Sequence, residues 1–291
     1  MLERTEVSRS MRIIKSIKEM SNISKAIRQK AKTIGLVPTM GALHGGHLSL
    51  IRQARKDNDV VVVSIFVNPK QFGPKEDFKK YPRNLKQDAE FCKKEGVDLV
   101  FSPGASCLYQ KNYKTYVNVE GLSDVLCGKF RLEHFKGVAT VVNKLLNIVN
   151  PYIAYFGQKD EQQSIIIKKM VEDLNMPVKI KVMPTIREAD GLAKSSRNAY
   201  LNQNDRKEAA VLFQALMTAK KLINQGNLES SSIIQKMRQR ISKKKSAKIQ
   251  YIEIVDQENL KPLDKIKGKV LIALAVCIGK TRLIDNIIVR N

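Results

Sequence analysis

The chain has 291 residues, 43% of them hydrophobic, so it can bury a sizeable core as one large or two modest domains. Its longest apolar runs, residues 60–67 and 270–278, are far shorter than the roughly 20 residues of a membrane-spanning helix. Residues 1–18 carry charges throughout and lack the apolar stretch of a signal peptide, which indicates a cytoplasmic protein. The four cysteines show no CxxC spacing, so neither disulfides nor structural zinc is expected.

The chain is strongly basic, with 52 lysines and arginines against 28 aspartates and glutamates, a formal net charge of +24. Such a surplus attracts polyanions and anionic substrates. The basic residues are nevertheless spread along the whole sequence, and the densest run, residues 236–248, lacks the interleaved aromatic residues that stack on bases. Nucleic-acid binding is therefore an alternative interpretation and not the main one.

Short apolar segments alternate with helical periodicity through the first two thirds of the chain, which predicts βαβ units and a parallel sheet. Strands are expected at residues 32–37, 60–67, 99–101, 153–156 and 178–182, the first of these being the first strand of the sheet. Helical patterns occupy residues 48–54, 85–94, 138–149 and 166–174. The predicted fold class is α/β, a Rossmann-like parallel sheet flanked by helices.

Polar and small residues interrupt this alternation at residues 187–204, and a hinge is predicted near Pro184. We therefore predict a larger domain over residues 1–185 and a smaller α+β domain over residues 186–291. In the smaller domain, helices are expected at about residues 205–225 and 231–242. Strands are expected at residues 249–255, 270–276 and 283–289.

Two of the three histidines, His44 and His47, lie in a glycine-rich stretch between the expected first strand and the next helix. Free backbone N–H groups and the helix dipole favour an anion at such a position. Gly41, Gly45 and Gly46 would let the backbone approach a nucleotide, and two imidazoles three residues apart can donate to one phosphate group. The alternative is a glycine-rich turn with two surface histidines, and the strand–loop–helix context favours the nucleotide site.

Uncharged amides follow two of the expected strands. Asn68 and Gln71 come directly after residues 60–67, at the edge where ligands bind in open α/β sheets, and Gln163 lies in the first turn of a later helix. Amides of this kind suit a small hydroxylated acid, although Asn68 could merely cap a loop. Lys159 follows the strand at 153–156, from which its ammonium group can reach nucleotide phosphates.

Ser195, Ser196 and Arg197 place two hydroxyl groups and a guanidinium group in succession. Groups of these types bind phosphate well, because the charge assists the hydrogen bonds. A polar linker between domains is an equally good explanation of these three residues alone.

Further segments accompany the HxGH element of residues 44–47: FVNPKQFGP at 66–74, YPR at 81–83, YFGQKDEQQ at 155–163, READGLAKSSRN at 187–198 and TRLIDN at 281–286. HxGH alone indicates only the nucleotidyltransferase superfamily. Taken in this order and spacing, the segments resemble the pantothenate synthetase family from about residue 34 to residue 291. Arg131 and His134 also match a loop that lies near the reacting groups in that family. The sequence departs from the family's frequent pattern at Gly45, often acidic, at Lys194, often methionine, and at residues 132–133, usually Pro-Gly.

The resemblance implies an ATP-dependent ligase that activates pantoate as an acyl-adenylate, joins it to β-alanine, and releases pyrophosphate and AMP. It further implies Mg²⁺ as a cofactor, a homodimer, and a C-terminal domain that closes over ATP. Two alternatives are another HxGH nucleotidyltransferase with a different small acid acceptor and a basic, non-catalytic RNA-binding protein. Where the acceptor of the first would be that of a cofactor adenylyltransferase, Gln71 and Gln163 argue against it, because they are uncharged and do not form a basic acceptor pocket.

The resemblance also implies roles for individual residues. The implied ATP-binding residues are Met40, Gly41, His44, Gly46, His47, Gly157, Gln158, Lys159, Asp160, Ile186, Lys194, Ser195, Ser196 and Arg197. The implied catalytic residues among them are His44, His47, Lys159 and Arg197. Pantoate and β-alanine are assigned to Met40, Asn68, Gln71 and Gln163, and a metal contact to Asp88.

Overall fold

The computed structural model describes residues 11–74 and 76–291 of the chain. Its larger part is built on a sheet of six parallel strands in the order β1-β4-β3-β2-β5-β6. The strands are β1 (Arg12–Ile14), β2 (Ile34–Thr39), β3 (Val60–Ile65), β4 (Leu99–Phe101), β5 (Ile153–Gly157) and β6 (Lys179–Met183). The predicted α/β fold with a Rossmann-like sheet is confirmed.

Helices cover both faces of this sheet, which is why the central strands are apolar throughout. The helices of this part are α1 (Ile17–Gln29), α2 (Gly45–Asp57), α3 (Leu85–Lys94), α4 (Ala105–Leu108), α5 (Cys127–Phe130), α6 (His134–Val149) and α7 (Glu161–Asp173). In β3, Val60 and Val62 belong to the buried cluster that includes residues of α6 and α7, whereas Val61 and Val63 belong to the cluster that includes residues of α2. Alternate side chains of one strand thus supply two cores.

The C-terminal part contains α8 (Gln203–Ala209), α9 (Val211–Asn224) and α10 (Ser230–Ile241), followed by an antiparallel sheet. Its strands, β7 (Ala247–Asp256), β8 (Lys269–Ile278) and β9 (Thr281–Arg290), pair in the order β7-β8-β9. Ile272 and Leu274 of β8 belong to a buried cluster with residues of α9 and α10, and Leu271 and Ala273 belong to the core of the larger part. The small sheet therefore joins the two cores, while the predicted boundary at residues 185 and 186 stays a prediction.

Two expectations about the elements were wrong. The strand expected first is second in the chain, because β1 and α1 precede it; of the three residues of β1 only Ile14 is buried, which leaves too short a pattern to detect. The helix expected at residues 205–225 is divided at Ala210 into α8, of which only Ala209 is buried, and α9, which is buried along one side. Within the described part of the chain, no helix has the length and apolarity required to cross a membrane.

Candidate nucleotide site

A cleft opens at the carboxyl ends of β2 and β5, where the strand order changes direction and where ligands bind in open α/β sheets. All predicted site residues are described in the structure, and three of them, Gly41, Gln158 and Asp88, lie outside the cleft lining. The predicted residues that the structure brings together along the cleft are Met40, His44, Gly46, His47, Asn68, Gln71, Gly157, Lys159, Asp160, Gln163, Ile186, Lys194, Ser195, Ser196 and Arg197.

The two HxGH histidines are held by the backbone at the start of α2. Nδ1 of His44 accepts from the Gly46 N–H at 3.1 Å, and Nδ1 of His47 accepts from the His44 N–H at 3.3 Å. A ring nitrogen that accepts carries no proton in the neutral imidazole, so both rings keep their proton on Nε2. The ring centroids are 4.1 Å apart, which places two N–H donors side by side.

The surroundings keep these two rings neutral. Burial lowers the pKa of His44 to about 4, and the positive charges of Lys159 and Lys194 act in the same direction. Burial and the neighbouring His44 lower the pKa of His47 to about 3. At pH 7 the pair therefore consists of neutral hydrogen-bond donors, and the positive charge of the cleft comes from lysine and arginine.

Asp88 of α3 holds the loop between β2 and α2 in place. Its carboxylate accepts from the Leu43 N–H at 2.8 Å and the Ala42 N–H at 3.0 Å, and the residue is buried. Gly41 (φ +81°) fits against it, because a Cβ there would come 2.8 Å from a carboxylate oxygen. These contacts give Asp88 a positioning role, and the metal contact predicted for it stays a prediction.

The described residues contain no group of three or more His, Cys, Asp or Glu side chains that could hold a metal ion. Mg²⁺ in nucleotide sites is commonly bound by one or two carboxylates together with substrate phosphates. Asp160 lines the cleft, but its carboxylate lies 3.5 Å from the Lys159 ammonium group. Within residues 11–74 and 76–291, the protein groups by themselves thus do not form a metal site of three or more such side chains.

The two amide side chains that follow β3, Asn68 and Gln71, differ in their hydrogen-bond partners. Asn68 is fully engaged: its Nδ2 donates to Gln71 Oε1 at 3.1 Å and to the Gly137 carbonyl at 3.0 Å, and its Oδ1 accepts from the Tyr109 hydroxyl at 2.9 Å. Gln71 Nε2 donates to the Met40 sulfur at 3.1 Å, which is a weak acceptor. Asn68 therefore orients Gln71, whose Nε2 can donate to a ligand.

A second network of hydrogen bonds holds the backbone carbonyl of Gln71. Arg131 makes a bidentate ion pair with Glu76 at 2.7 Å and donates to Nε2 of His134 at 2.8 Å. Because Nε2 accepts, Nδ1 of His134 carries the proton and donates to the Gln71 carbonyl at 2.7 Å. Burial and the charge of Arg131 lower the pKa of His134 to about 3. The loop that carries Arg131 thus fixes the Gln71 backbone.

Hydrogen bonds and an ion pair join the small antiparallel sheet to the segments that line the cleft after β5 and after β6. Asn286 of β9 donates from Nδ2 to the carbonyls of Gln158 (2.9 Å) and Lys159 (3.0 Å). Its neighbour Asp285 pairs with both terminal nitrogens of Arg187, at 2.6 and 2.9 Å. Residues of the TRLIDN segment therefore position the two stretches that carry Lys159 and Arg197.

Sequence reasoning missed the apolar wall of the cleft. It consists of residues of α6 that also belong to the core, namely Val138, Val141, Val142 and Leu145. Their helical period indicates burial but does not distinguish a core face from a cleft face. Tyr81 and Thr185 line the cleft as well, without having been assigned to it.

The parallel sheet and this cleft define the chain as a nucleotide-binding protein of the Rossmann-like α/β class. The model of the Pantoate-beta-alanine ligase family matches residues 12–288. The pantothenate synthetases of Fervidobacterium nodosum and Acetivibrio thermocellus are 56% and 53% identical over 279 residues, which is 96% of this chain and 99% of each relative. The chain belongs to the pantoate–β-alanine ligase family.

Solved structures agree with this assignment. Pantothenate synthetase from Thermus thermophilus superposes with a TM-score of 0.90 at 41% identity, over 95% of this chain and 99% of that one. Pantoate-β-alanine ligase from Francisella tularensis, complexed with β,γ-ATP and β-alanine, superposes with a TM-score of 0.80 at 38% identity, over 96% and 97%.

Proposed function

We propose that the chain uses this cleft to activate pantoate with ATP as a pantoyl-adenylate and then to join the pantoyl group to β-alanine. The observation that carries the proposal is the pair of neutral imidazoles, His44 and His47, at the start of a helix and at the carboxyl edge of the sheet. Helix N-termini favour anions, and neutral N–H donors bind phosphate without adding charge. The family assignment supports the identity of the substrates.

In the first step, a carboxylate oxygen of pantoate attacks the α-phosphorus of ATP, and the bond to pyrophosphate breaks. Catalysis of such a transfer is mainly positioning and neutralisation of charge. We assign the stabilisation of phosphate charge to His44, His47, Lys159 and Arg197, with Ser195 and Ser196 as further donors. The backbone near Met40, Gly46, Gly157 and Ile186, with Asp160, would complete the ATP site.

Pantoate is placed between the amides and the apolar wall. Gln71 Nε2 can donate to its hydroxyl and carboxylate groups, and the Gln163 side chain can donate to either group or accept from a hydroxyl. Val138, Val141 and Val142 suit its branched carbon centre. Asn68 contributes by orienting Gln71.

In the second step, the β-alanine amine attacks the acyl carbon of the adenylate, the bond to AMP breaks, and the amine loses a proton. No enzyme nucleophile is needed, since the adenylate is already an activated acyl group. A mixed anhydride survives only if water is kept from it, and the apolar α6 wall contributes to that exclusion.

Four further features of this function are proposals. Mg²⁺ would enter on the phosphates of ATP, as is common in nucleotide sites where one or two carboxylates assist. Closure of residues 186–291 over ATP is proposed on the family resemblance; Ser196 with the Ala42 carbonyl at 3.1 Å and Arg197 with Asp77 at 2.9 Å already join the two parts beside the cleft. A homodimer and a cytoplasmic location are proposed on the family resemblance alone.

The decisive experiment is pantoate-dependent exchange between ATP and labelled pyrophosphate. His47→Ala should lower the exchange rate by roughly 10² or more, the expected loss for a preorganised donor, while the far-UV circular dichroism stays unchanged. Near-normal exchange by the folded variant would refute the role of His47. Replacing pantoate with other small acids tests the alternative acceptor, and salt-dependent RNA binding without any exchange would favour the non-catalytic alternative.

A further inference from the structure

The Lys194 side chain lies across the first turn of α2, in the space that Gly45 leaves open. A Cβ on Gly45 would come 3.2 Å from Cδ of Lys194, 3.5 Å from Cε and 3.6 Å from Nζ. Contacts of 3.0 to 3.4 Å are tighter than about nine in ten Cβ contacts in proteins, so even a Cβ at position 45 would require the lysine side chain to shift by a few tenths of an ångström. The absence of a side chain at Gly45 thus allows an ammonium group to lie beside the HxGH loop.

The cations of the cleft differ in how firmly their charges are held. Arg131 and Arg197 each form a bidentate ion pair, with Glu76 and Asp77 respectively. In the described part of the chain, the Lys194 ammonium group makes one ion pair, with Glu188 Oε2 at 3.3 Å, and the two side chains are 31% and 38% exposed. A single, partly exposed ion pair contributes little free energy, so it exchanges readily for a stronger anionic partner.

The same position brings Lys194 close to the imidazole donors. Lys194 lines the same cleft as His44 and His47, and its charge acts on the His44 ring. Both imidazoles are neutral, and Arg131 and Arg197 are held in bidentate ion pairs. Lys159 and Lys194 are therefore the cations that can most readily leave their partners for a bound triphosphate.

We propose that the Lys194 ammonium group leaves Glu188 when nucleotide binds and contacts the phosphates directly, over the gap at Gly45. This inference rests on the proposed ATP-binding function and deepens it: the earlier assignment of Lys194 could be met by its backbone alone, whereas here the side chain is the phosphate ligand. Lys194 and Gly45 act as a matched pair, in which one residue supplies the charge and the other supplies its space.

The test is calorimetric binding of ATP and of adenosine, both with Mg²⁺, to the wild type and to Lys194→Met. Methionine keeps most of the length of the side chain and removes its charge. ATP affinity should fall about tenfold or more, since a charge-assisted hydrogen bond contributes roughly 1.5–3 kcal/mol and 1.4 kcal/mol is a factor of ten. Adenosine affinity should not change. Unchanged ATP affinity, or an equal loss for both ligands, would overturn the proposal.

Two further variants keep the proposal testable. Gly45→Glu should weaken ATP binding as well, because its carboxylate fills the gap and competes for the ammonium group. Glu188→Gln should leave ATP affinity unchanged or tighten it, because it frees Lys194; a loss as large as that of Lys194→Met would show that the ion pair itself matters and would overturn the proposal. Since binding is measured without catalysis, these results are distinguishable from a failure of pantoate-dependent exchange.

Discussion

The floor and the rim of the cleft are built in different ways. The floor, residues 39–47, is held by short contacts inside the larger part, such as Asp88 with Ala42 and Leu43 and the Thr39 hydroxyl with the Ser64 carbonyl at 2.8 Å. The rim, residues 157–160 and 186–197, is joined to β9 through Asn286 and Asp285 and to the floor through Ser196. The floor supplies neutral donors in fixed places, whereas the rim carries charges. Arg197 is held by a bidentate ion pair with Asp77, and Lys194 by one partly exposed ion pair with Glu188.

This difference separates two catalytic tasks. Donors that must meet a developing charge are effective when they need no reorganisation, which the floor provides. Groups that must admit a large substrate and then enclose it have to move, and weakly held ion pairs permit that. We therefore expect changes in the floor to lower the rate of adenylate formation and changes at the rim to lower nucleotide affinity.

The largest effect is expected at Asp88. Asp88→Ala removes the acceptor of two loop N–H groups, so the donors of the loop lose their fixed position. Misplacement of about 1 Å can lower a rate by about 10², and we expect pyrophosphate exchange to fall by that factor or more. Exchange is measured at several Mg²⁺ concentrations.

The Mg²⁺ series distinguishes positioning from metal binding. If Asp88 holds the loop, added Mg²⁺ will not restore exchange; recovery at high Mg²⁺ would support the metal contact predicted from the sequence instead. Glu90→Ala, an exposed carboxylate on the same helix, is the matched control and should retain wild-type exchange.

A smaller effect is expected from the protonation of His134. Its pKa is about 3 in the folded chain, because of burial and Arg131, against about 6.5 when unfolded. The unfolded chain therefore gains protons first, and the stabilisation from the neutral ring is complete above pH 6.5 and declines as pH falls toward 3. Between pH 7.5 and 5, this one residue should lower the free energy of unfolding by about 2 kcal/mol.

Urea unfolding of the wild type and of His134→Gln at both pH values measures this contribution. Glutamine can still donate and accept but does not titrate, so its loss of stability on acidification should be smaller by about that amount. His44 and His47, whose pKa values are also lowered, are present in both proteins and cancel. Equal losses in the two proteins would contradict the low pKa of His134.

The sequence predicted the floor better than the rim. Strand β3 and helix α2 have strong apolar patterns. His44 and His47 stand out because the chain has only three histidines and these two lie in a glycine-rich stretch, so the local sequence was sufficient. The contacts of Asp285 and Asn286 join residues about 100 positions or more apart, and no local pattern indicates which carbonyls or guanidinium groups they meet. The sequence did not indicate the apolar wall formed by α6, because valines that face a cleft recur at the same helical spacing as valines that face a core.

Asn286 provides the sharpest test of the rim, because it is the link between β9 and the strand end that carries Lys159. Asn286→Ala removes the donors to the Gln158 and Lys159 carbonyls, which should loosen the Lys159 backbone while leaving the floor intact. We expect KM for ATP to rise about tenfold, equivalent to about 1.4 kcal/mol, with a much smaller change in KM for pantoate. Asn259→Ala, an exposed asparagine in the turn after β7, is the control for substitution in the same sheet and should leave both constants unchanged. If Asn286→Ala instead lowered kcat at unchanged KM for ATP, β9 would act on the chemical step, and the separation between a floor that sets rate and a rim that sets affinity would be wrong.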